Sequence, residues 1–202
     1  MRLFFSPASP YVRKVMVLAH ETGLADRITH VDCAASPVAR DPSIVKVNPT
    51  GKIPALILDD GTALYDSRVI CQYLDTLHGG TRMYPAEGPA RFDVLTREAL
   101  ADGLLDAALL ARYETVMRPA EKLWPEWLQG QMDKIDSSLD RMAATVAGRQ
   151  DIDAGQIACA CALGYLDFRF PDHDWRSSRP RLAEWFEGMA RRESMVETMP
   201  KG

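Results

Sequence analysis

"PALILDDGTALYDS" (Pro54–Ser67) is the stretch of sequence that decides the fold. Ala55–Leu58 and Thr62–Tyr65 are short apolar segments, and the Asp60-Gly61 pair between them is a strong signal for a hairpin turn. Asp66-Ser67 then supplies residue types that cap the start of a helix. The stretch therefore predicts two antiparallel strands followed at once by a helix.

The residues before this hairpin predict a β-α-β unit. Residues 2–5 form a short apolar run, and residues 28–32 alternate between apolar and polar side chains, as strands do. Between them residues 10–22 have helical periodicity, with Ser9 suited to the N-cap. The two strands should be parallel, with a right-handed crossover. Residues 33–50 are expected to be irregular, so the order is β-α-β, a loop, and β-β-α.

Beyond this α/β segment the composition changes. Residues 79–90 are rich in glycine and proline and are typical of a linker. No strand signal follows, and four segments have helical patterns: 91–118, 125–147, 154–168 and 180–192. We therefore expect a mixed α/β domain over residues 1–78 and an all-helical domain over residues 91–202.

The most apolar of these helical segments is Ile157–Leu166, which carries no charge on any face. A helix that is apolar all round is buried, so we expect it at the centre of the second domain. Asp153 and Gln156 just before it form a variant of the capping box.

Composition excludes several classes of protein. The net charge is 24 − 28 = −4 and no basic block occurs, so we expect no nucleic-acid binding. No signal peptide and no membrane-spanning run are recognisable, which indicates a cytoplasmic protein that does not enter a membrane. Four scattered cysteines fit neither a disulfide framework nor a zinc site, so we expect buried free thiols and no metal: Cys33, Cys71, Cys159 and Cys161.

Three local features carry candidate chemistry: Ser9, the motif "NPTGKIP" (Asn48–Pro54), and Asp66-Ser67. A cis Ile53-Pro54 bond would leave the Ile53 peptide group free to pair with an extended peptide. Asp66 could then hold an ammonium and Ser67 a carboxylate, while Lys52 could bind a carboxylate at the other end. Ser9 would lie where a thiol in the middle of such a peptide sits.

Each residue also has a simpler interpretation. Ser9 and Asp66-Ser67 could be helix caps only, and Lys52 a solvated lysine. The hydroxyl of Ser6 is an alternative to that of Ser9 for contact with the thiol, although no helix is predicted to begin directly after Ser6. Arg13 and Arg68 could lie near a bound anion or simply face solvent.

The sequence resembles the soluble glutathione S-transferase superfamily, in particular bacterial members with serine at the catalytic position. The resemblance rests on "SPYVRKV", "NPTGKIP", "DSRVICQYL", "REALADGLLDAALL" and "GQIACACALGYLDFRF", in this order over nearly the whole chain. It implies a thioredoxin-like N-terminal domain, a helical C-terminal domain and a homodimer. It also implies glutathione as co-substrate, with site residues Ser9, Lys52, Ile53, Pro54, Asp66 and Ser67.

The implied activity is attack of the glutathione thiolate on a small apolar electrophile, a detoxification reaction. Ser9 would donate a hydrogen bond to the sulfur, and Pro54 would be the cis-proline. The electrophile pocket is expected at Tyr11, Asp102, Leu105 and Tyr113, where Asp102 could instead pair across an interface. Two alternatives remain: a non-catalytic glutathione-binding or protein-interaction module, and a glutathione-dependent reductase or peroxidase, which the lack of cysteine at position 9 disfavours.

Overall fold

The first structural unit is built on a four-stranded sheet in the order β2-β1-β3-β4. The computed structural model describes residues 1–201, so Gly202, the end of the predicted helical domain, lies outside the described residues. The strands are β1 (Arg2–Phe5), β2 (Thr29–Asp32), β3 (Leu56–Ile57) and β4 (Ala63–Leu64). β1 and β2 are parallel, whereas β3 is antiparallel to both β1 and β4. This topology confirms the predicted βαβ-ββα order.

Three helices and a short 3-10 turn (Ala25–Arg27) complete the sequence of elements up to residue 86: α1 (Pro10–Glu21), α2 (Pro42–Val47) and α3 (Ser67–Asp75). The predicted apolar face of α1 is buried. The sequence prediction missed α2, which Asp41 caps by accepting a hydrogen bond from the Ser43 N–H at 2.8 Å. On α3, Ile70 is buried, whereas its neighbour Val69 is 46% exposed.

The second unit, Glu87–Arg191, is entirely helical, as predicted. Its helices are α4 (Gly88–Val116), α5 (Pro125–Thr145), α6 (Ala154–Arg169) and α7 (Pro180–Ala190), with a 3-10 turn at Ala120–Lys122. α6 packs against α4 and α7, and its residues 154–166 are all buried, which confirms its central position. α4 begins inside the predicted linker 79–90, because Pro89 is compatible with the first turn of a helix.

The start of α6 is held by Asp153, whose Oδ1 accepts a hydrogen bond from the Gln156 N–H at 2.9 Å. The Gln156 side chain donates to the Asp151 carbonyl, so only half of the predicted capping box forms. Asp153 also pairs with the buried guanidinium of Arg97 through two hydrogen bonds of 2.8 Å. The cap and an ion pair within the unit therefore share one carboxylate.

The last described residues do not belong to the helical unit. Residues 192–201, including α8 (Glu193–Glu197), group with the first unit, whereas the sequence analysis assigned them to the helical domain. Arg192 pairs with Glu21 at the end of α1 through two hydrogen bonds of 2.7 Å. Arg13 donates to the Met195 carbonyl at 3.0 Å. These contacts attach the C-terminal segment to α1.

Candidate functional site

The sheet topology gathers the three candidate motifs at one end of the sheet. β1 runs toward Ser9, and the antiparallel β3 begins at that same end, where the Phe4 N–H donates to the Ala55 carbonyl at 2.9 Å. β4 is antiparallel to β3 and therefore ends there too, at Leu64, two residues before Asp66. Ser9 follows β1, Ile53-Pro54 precedes β3, and Asp66-Ser67 follows β4. All three motifs therefore lie at the same end of the sheet.

Ser9 is the N-cap of α1. Its Oγ accepts a hydrogen bond from the Val12 N–H at 3.3 Å, while its own N–H donates to the Ser6 carbonyl at 3.1 Å. Within residues 1–201 its hydroxyl donates no hydrogen bond, so the proton is available to a ligand. The Ser9 hydroxyl also lies at the N-terminus of α1, where the positive end of the helix dipole favours a negatively charged partner.

Asn48 organises the "NPTGKIP" loop. Only 2% of this residue is exposed, and its side chain donates to the Lys52 carbonyl at 2.8 Å. Its Oδ1 accepts hydrogen bonds from the N–H and hydroxyl of Thr50 at 3.1 and 2.9 Å. Gly51 follows with φ +70°, a conformation that L side chains rarely adopt. The loop is therefore held by its own side chains, a role for Asn48 that the sequence analysis missed although the residue stood in the motif.

The Ile53-Pro54 peptide bond is cis, as the resemblance implied. The Ile53 side chain packs on the cluster formed by Phe4, Ile44 and Ala55. Within residues 1–201 neither the N–H nor the C=O of Ile53 has a hydrogen-bond partner. This peptide unit therefore offers one donor and one acceptor to an extended ligand.

Asp66 is the N-cap of α3, where its Oδ1 accepts a hydrogen bond from the Arg68 N–H at 3.0 Å. The Arg68 guanidinium bonds the same carboxylate, with Nη2 2.8 Å from Oδ2, and holds the pKa of Asp66 below its ordinary value. Ser67 is 2% exposed, and neither its N–H nor its hydroxyl bonds another described residue. The pair presents a carboxylate beside unpaired donors at a helix N-terminus, as recognition of an amino-acid end requires.

Lys52 is exposed and its ammonium forms no ion pair in the described chain. Arg40, in the loop before α2, donates a hydrogen bond from its guanidinium to the Pro49 carbonyl and covers Gly51. Sequence reasoning missed Arg40, because no pattern in residues 33–50 indicated where its side chain points.

The four residues expected at an electrophile pocket lie in different environments. Leu105 is fully buried, so it belongs to the core of the helical unit and presents no surface to a ligand. Asp102 is also buried on α4. Tyr113 near the end of α4 is half-buried, which raises the pKa of its phenol. Tyr11 is partly exposed in the first turn of α1.

All four cysteines are free thiols, and three of them are buried, as expected: Cys71, Cys159 and Cys161. Cys33 is only partly buried, which corrects the expectation for that residue. Cys33 follows β2 at the same sheet end as the candidate site, and its Sγ lies 3.5 Å from the Phe5 carbonyl. Burial raises its pKa, which keeps the thiol protonated. Among residues 1–201 no cluster of side chains suited to a metal ion occurs, and no helix is long and apolar enough to span a membrane.

Two family models match the chain: the N-terminal domain of glutathione S-transferase over residues 8–77 and its C-terminal domain over residues 125–188. The GST-like protein YibF of Escherichia coli K12, itself uncharacterized, is 34% identical across 99% of this chain and 98% of its own. The chain belongs to the glutathione S-transferase superfamily.

Solved structures of this superfamily agree closely with the fold. A glutathione transferase family member from Pseudomonas fluorescens Pf-5, with bound glutathione, is 50% identical, with a TM-score of 0.97 over 100% of this chain and 99% of its own. A second structure from that organism holds S-(propanoic acid)-glutathione and is 49% identical, with a TM-score of 0.92 and full coverage of both chains. The thioredoxin-like N-terminal domain and the helical C-terminal domain are therefore those of a glutathione S-transferase.

Proposed function

We propose that this chain binds glutathione at Ser9, Lys52, Ile53-Pro54 and Asp66-Ser67 and activates its thiol for attack on a small electrophile. The observation that carries the proposal is the convergence of unpaired groups at one sheet end: the Ser9 hydroxyl proton, the Ile53 peptide and the Ser67 donors. The glutathione-bound relative, at 50% identity, supports the choice of ligand.

Each part of glutathione has a chemical partner in this proposal. The γ-glutamyl ammonium pairs with Asp66, whose lowered pKa keeps it ionised, and the γ-glutamyl carboxylate accepts from Ser67. The cysteinyl backbone pairs with Ile53, as a strand pairs with a sheet edge. The glycyl carboxylate is bound by Lys52.

The sulfur would be activated by Ser9 without a covalent step on the serine. A free thiol is only a few per cent ionised at neutral pH, because its pKa lies near 8.5. The Ser9 O–H donates to the sulfur while the same oxygen keeps its bond from Val12, and the α1 dipole favours the anion. Lowering the thiol pKa by one unit requires about 1.4 kcal/mol, within the range of one charge-assisted hydrogen bond.

Two alternative functions remain distinguishable. A non-catalytic glutathione-binding or protein-interaction module would bind glutathione but leave its thiol pKa unchanged. A reductase or peroxidase needs a reactive thiolate in the protein, whereas position 9 is serine and the pKa of Cys33 is raised.

Calorimetric titration with glutathione and with S-methylglutathione tests the proposal. We expect both to bind wild type, and Asp66→Asn to weaken binding by about tenfold or more, because the ammonium loses its charged partner. Asp26→Asn, an exposed carboxylate in the 3-10 turn after α1, is the control and should leave the affinity unchanged. Absence of measurable glutathione binding at millimolar concentration would refute the assignment.

The proposal extends to assembly and location. Exposed apolar side chains occur on both units, at Tyr65 and Val69 in the first and Phe92 in the second, and we propose that a homodimer covers them. Four free cysteines suit a reducing compartment, so we place the protein in the cytoplasm.

A further inference from the structure

A cleft in the helical unit lies where α4 and α6 end and α5 begins. Its volume is about 290 Å³, and its walls include Val116, Leu128, Met132 and Phe170. A second depression of about 340 Å³ adjoins it and shares Met132 and Phe170. The walls are mainly apolar, and Val116 is 61% exposed, so an apolar molecule would bury surface there that now faces water.

Two arginines, Arg112 on α4 and Arg169 on α6, also line this cleft. In the described part of the chain neither forms an ion pair with a carboxylate. The Nε of Arg169 is buried without a hydrogen-bond partner, while its guanidinium lies 3.7 Å from the centre of the Phe168 ring. A buried, unpaired donor on a charged group is costly, so the described chain leaves the hydrogen-bonding capacity of the Arg169 guanidinium unsatisfied.

The acidic residues closest in sequence are already engaged by other arginines. Glu114, two positions after Arg112, bonds the Nε of Arg118 at 2.6 Å. Asp167, two positions before Arg169, makes two hydrogen bonds of 2.6 Å with Arg176. Neither acid can therefore neutralise the cleft without giving up its own pair.

The adjoining depression does not supply the missing anion either. Asp172 lines it but forms no ion pair with Arg169 among residues 1–201. His173, on the same wall, lies 3.4 Å from Asp136, a carboxylate that Arg179 also contacts.

The local electrostatics also favour an anion. Burial is the main reason that the pKa of Arg169 lies below its ordinary value, and the charge of Arg112 lowers it further. Burial raises the pKa of Tyr165, which interacts with both arginines, to about 12. The tyrosine therefore stays neutral at physiological pH and adds no competing negative charge.

We propose that this cleft binds a small organic carboxylate with an apolar body, the carboxylate lying between the guanidinium groups of Arg112 and Arg169. The planar guanidinium donates two parallel hydrogen bonds to a carboxylate, a geometry that a lysine ammonium does not offer. Because the chain has a net charge of −4, its overall charge does not attract anions, and these two side chains must supply the selectivity.

Calorimetric titration with 4-phenylbutanoate and its neutral analogue 4-phenylbutanamide tests this site. The acid should bind wild type, and the amide should bind about tenfold more weakly or not at all, because it brings no charge to the arginines. Arg112→Gln and Arg169→Gln should each weaken binding of the acid by about tenfold and leave binding of the amide nearly unchanged.

Arg141→Gln is the matched control, since this arginine is exposed on α5 and lines neither depression. Arg169→Lys keeps the charge, so it should bind the acid better than Arg169→Gln and remains informative if the glutamine variant is poorly folded. Equal affinity for acid and amide, no binding of the acid up to about 10 mM, or unchanged binding in both glutamine variants would overturn the proposal.

Repeating the titrations with glutathione separates this site from the one in the first unit. Arg112→Gln and Arg169→Gln should leave glutathione affinity unchanged, because they belong to no part of the proposed glutathione site. If the chain failed to bind glutathione, the acid–amide difference would still stand; if that difference were absent, glutathione binding would be unaffected.

Discussion

Ser9 combines a structural and a chemical role in one hydroxyl group. Its oxygen accepts from Val12 at the start of α1, and its proton points to no other described residue. Capping alone accounts for a serine at this position, since N-caps contribute about 1 kcal/mol. The pKa of the bound glutathione thiol is the quantity that distinguishes a catalytic serine from a helix cap.

We predict that Ser9→Ala raises the pKa of the bound glutathione thiol by about one unit, because the sulfur loses its hydroxyl donor. The free energy of unfolding should also fall by about 1 kcal/mol from loss of the cap. Ultraviolet absorbance of the thiolate as a function of pH gives the first quantity, and urea denaturation the second.

Ser6→Ala serves as the control for this variant. Ser6 contributes its backbone carbonyl to Ser9, which the substitution leaves in place, so neither quantity should change. An unchanged thiol pKa in Ser9→Ala would leave Ser9 a cap alone, and a raised pKa in Ser6→Ala would transfer the role to Ser6.

At the scale of single elements, the start of α6 depends on the pairing of Asp153 with Arg97. Arg97 is 3% exposed, so removal of the charge on Asp153 leaves a guanidinium buried with only the more exposed Asp93 at 3.0 Å. Breaking a buried pair on one side costs about 3–5 kcal/mol. The capping hydrogen bond and the ion pair can be separated, because asparagine caps helices about as well as aspartate.

We therefore predict that Asp153→Asn lowers the free energy of unfolding by about 3 kcal/mol although the cap is preserved. Asp93→Asn, which removes the half-exposed partner, should cost less than about 1 kcal/mol. Urea denaturation of the two variants measures both effects. A loss below about 1 kcal/mol in Asp153→Asn, no larger than that in Asp93→Asn, would contradict a stabilising role for the charge of Asp153.

The contact between α1 and the C-terminal segment should depend on pH. The hydrogen bonds from Arg192, and then that from Ser194, hold the pKa of Glu21 below 4.5, although burial opposes this. A carboxyl with a depressed pKa stabilises the folded state fully above its unfolded value and loses that contribution as the pH falls through its folded value.

We predict that Glu21→Gln lowers the free energy of unfolding by about 2 kcal/mol at neutral pH. This difference from wild type should shrink as the pH falls below 4.5, where Glu21 of wild type becomes protonated. Glu197→Gln, an exposed carboxylate on α8, is the control. A difference that stays constant with pH would mean that the side chain acts through packing and not through its charge.

The elements that sequence patterns predicted are those with strong local signals. The Asp60-Gly61 turn and the helical period of α1 each depend on neighbouring residues, and the structure confirms both. α2 was missed because its six residues are too few to show a helical period. The position of α8 was also unpredictable, since Arg192 reaches Glu21 across 171 residues of sequence.

At the scale of the whole molecule, the chain leaves the first unit after Ala86 and returns to it at Arg192. The meeting of the candidate motifs at one end of the sheet was predictable from sequence, because they all lie in the first 67 residues and neighbouring strands bring them together. Sequence motifs do not predict the hydrogen bonds that Asn48 makes within its loop. They also do not predict that Arg112 and Arg169 lack an ion pair, because both features depend on which side chains the fold brings close.

The exposed apolar side chains bear on the oligomeric state of the molecule. Phe92 is 66% exposed on α4 and Val69 46% exposed on α3. Burial of such side chains between two copies would stabilise a dimer, and a carboxylate in their place would have to be desolvated without a partner.

We therefore predict that wild type is a dimer and that Phe92→Glu and Val69→Glu shift it to the monomer, as measured by size-exclusion chromatography with light scattering. Val38→Glu is the control, because Val38 is 78% exposed in the loop before α2 and belongs to neither helix. It should leave the mass unchanged. A monomeric wild type, or glutamate variants that keep the dimer mass at micromolar concentration, would show that these two side chains face water and that the interface, if one forms, lies on another surface.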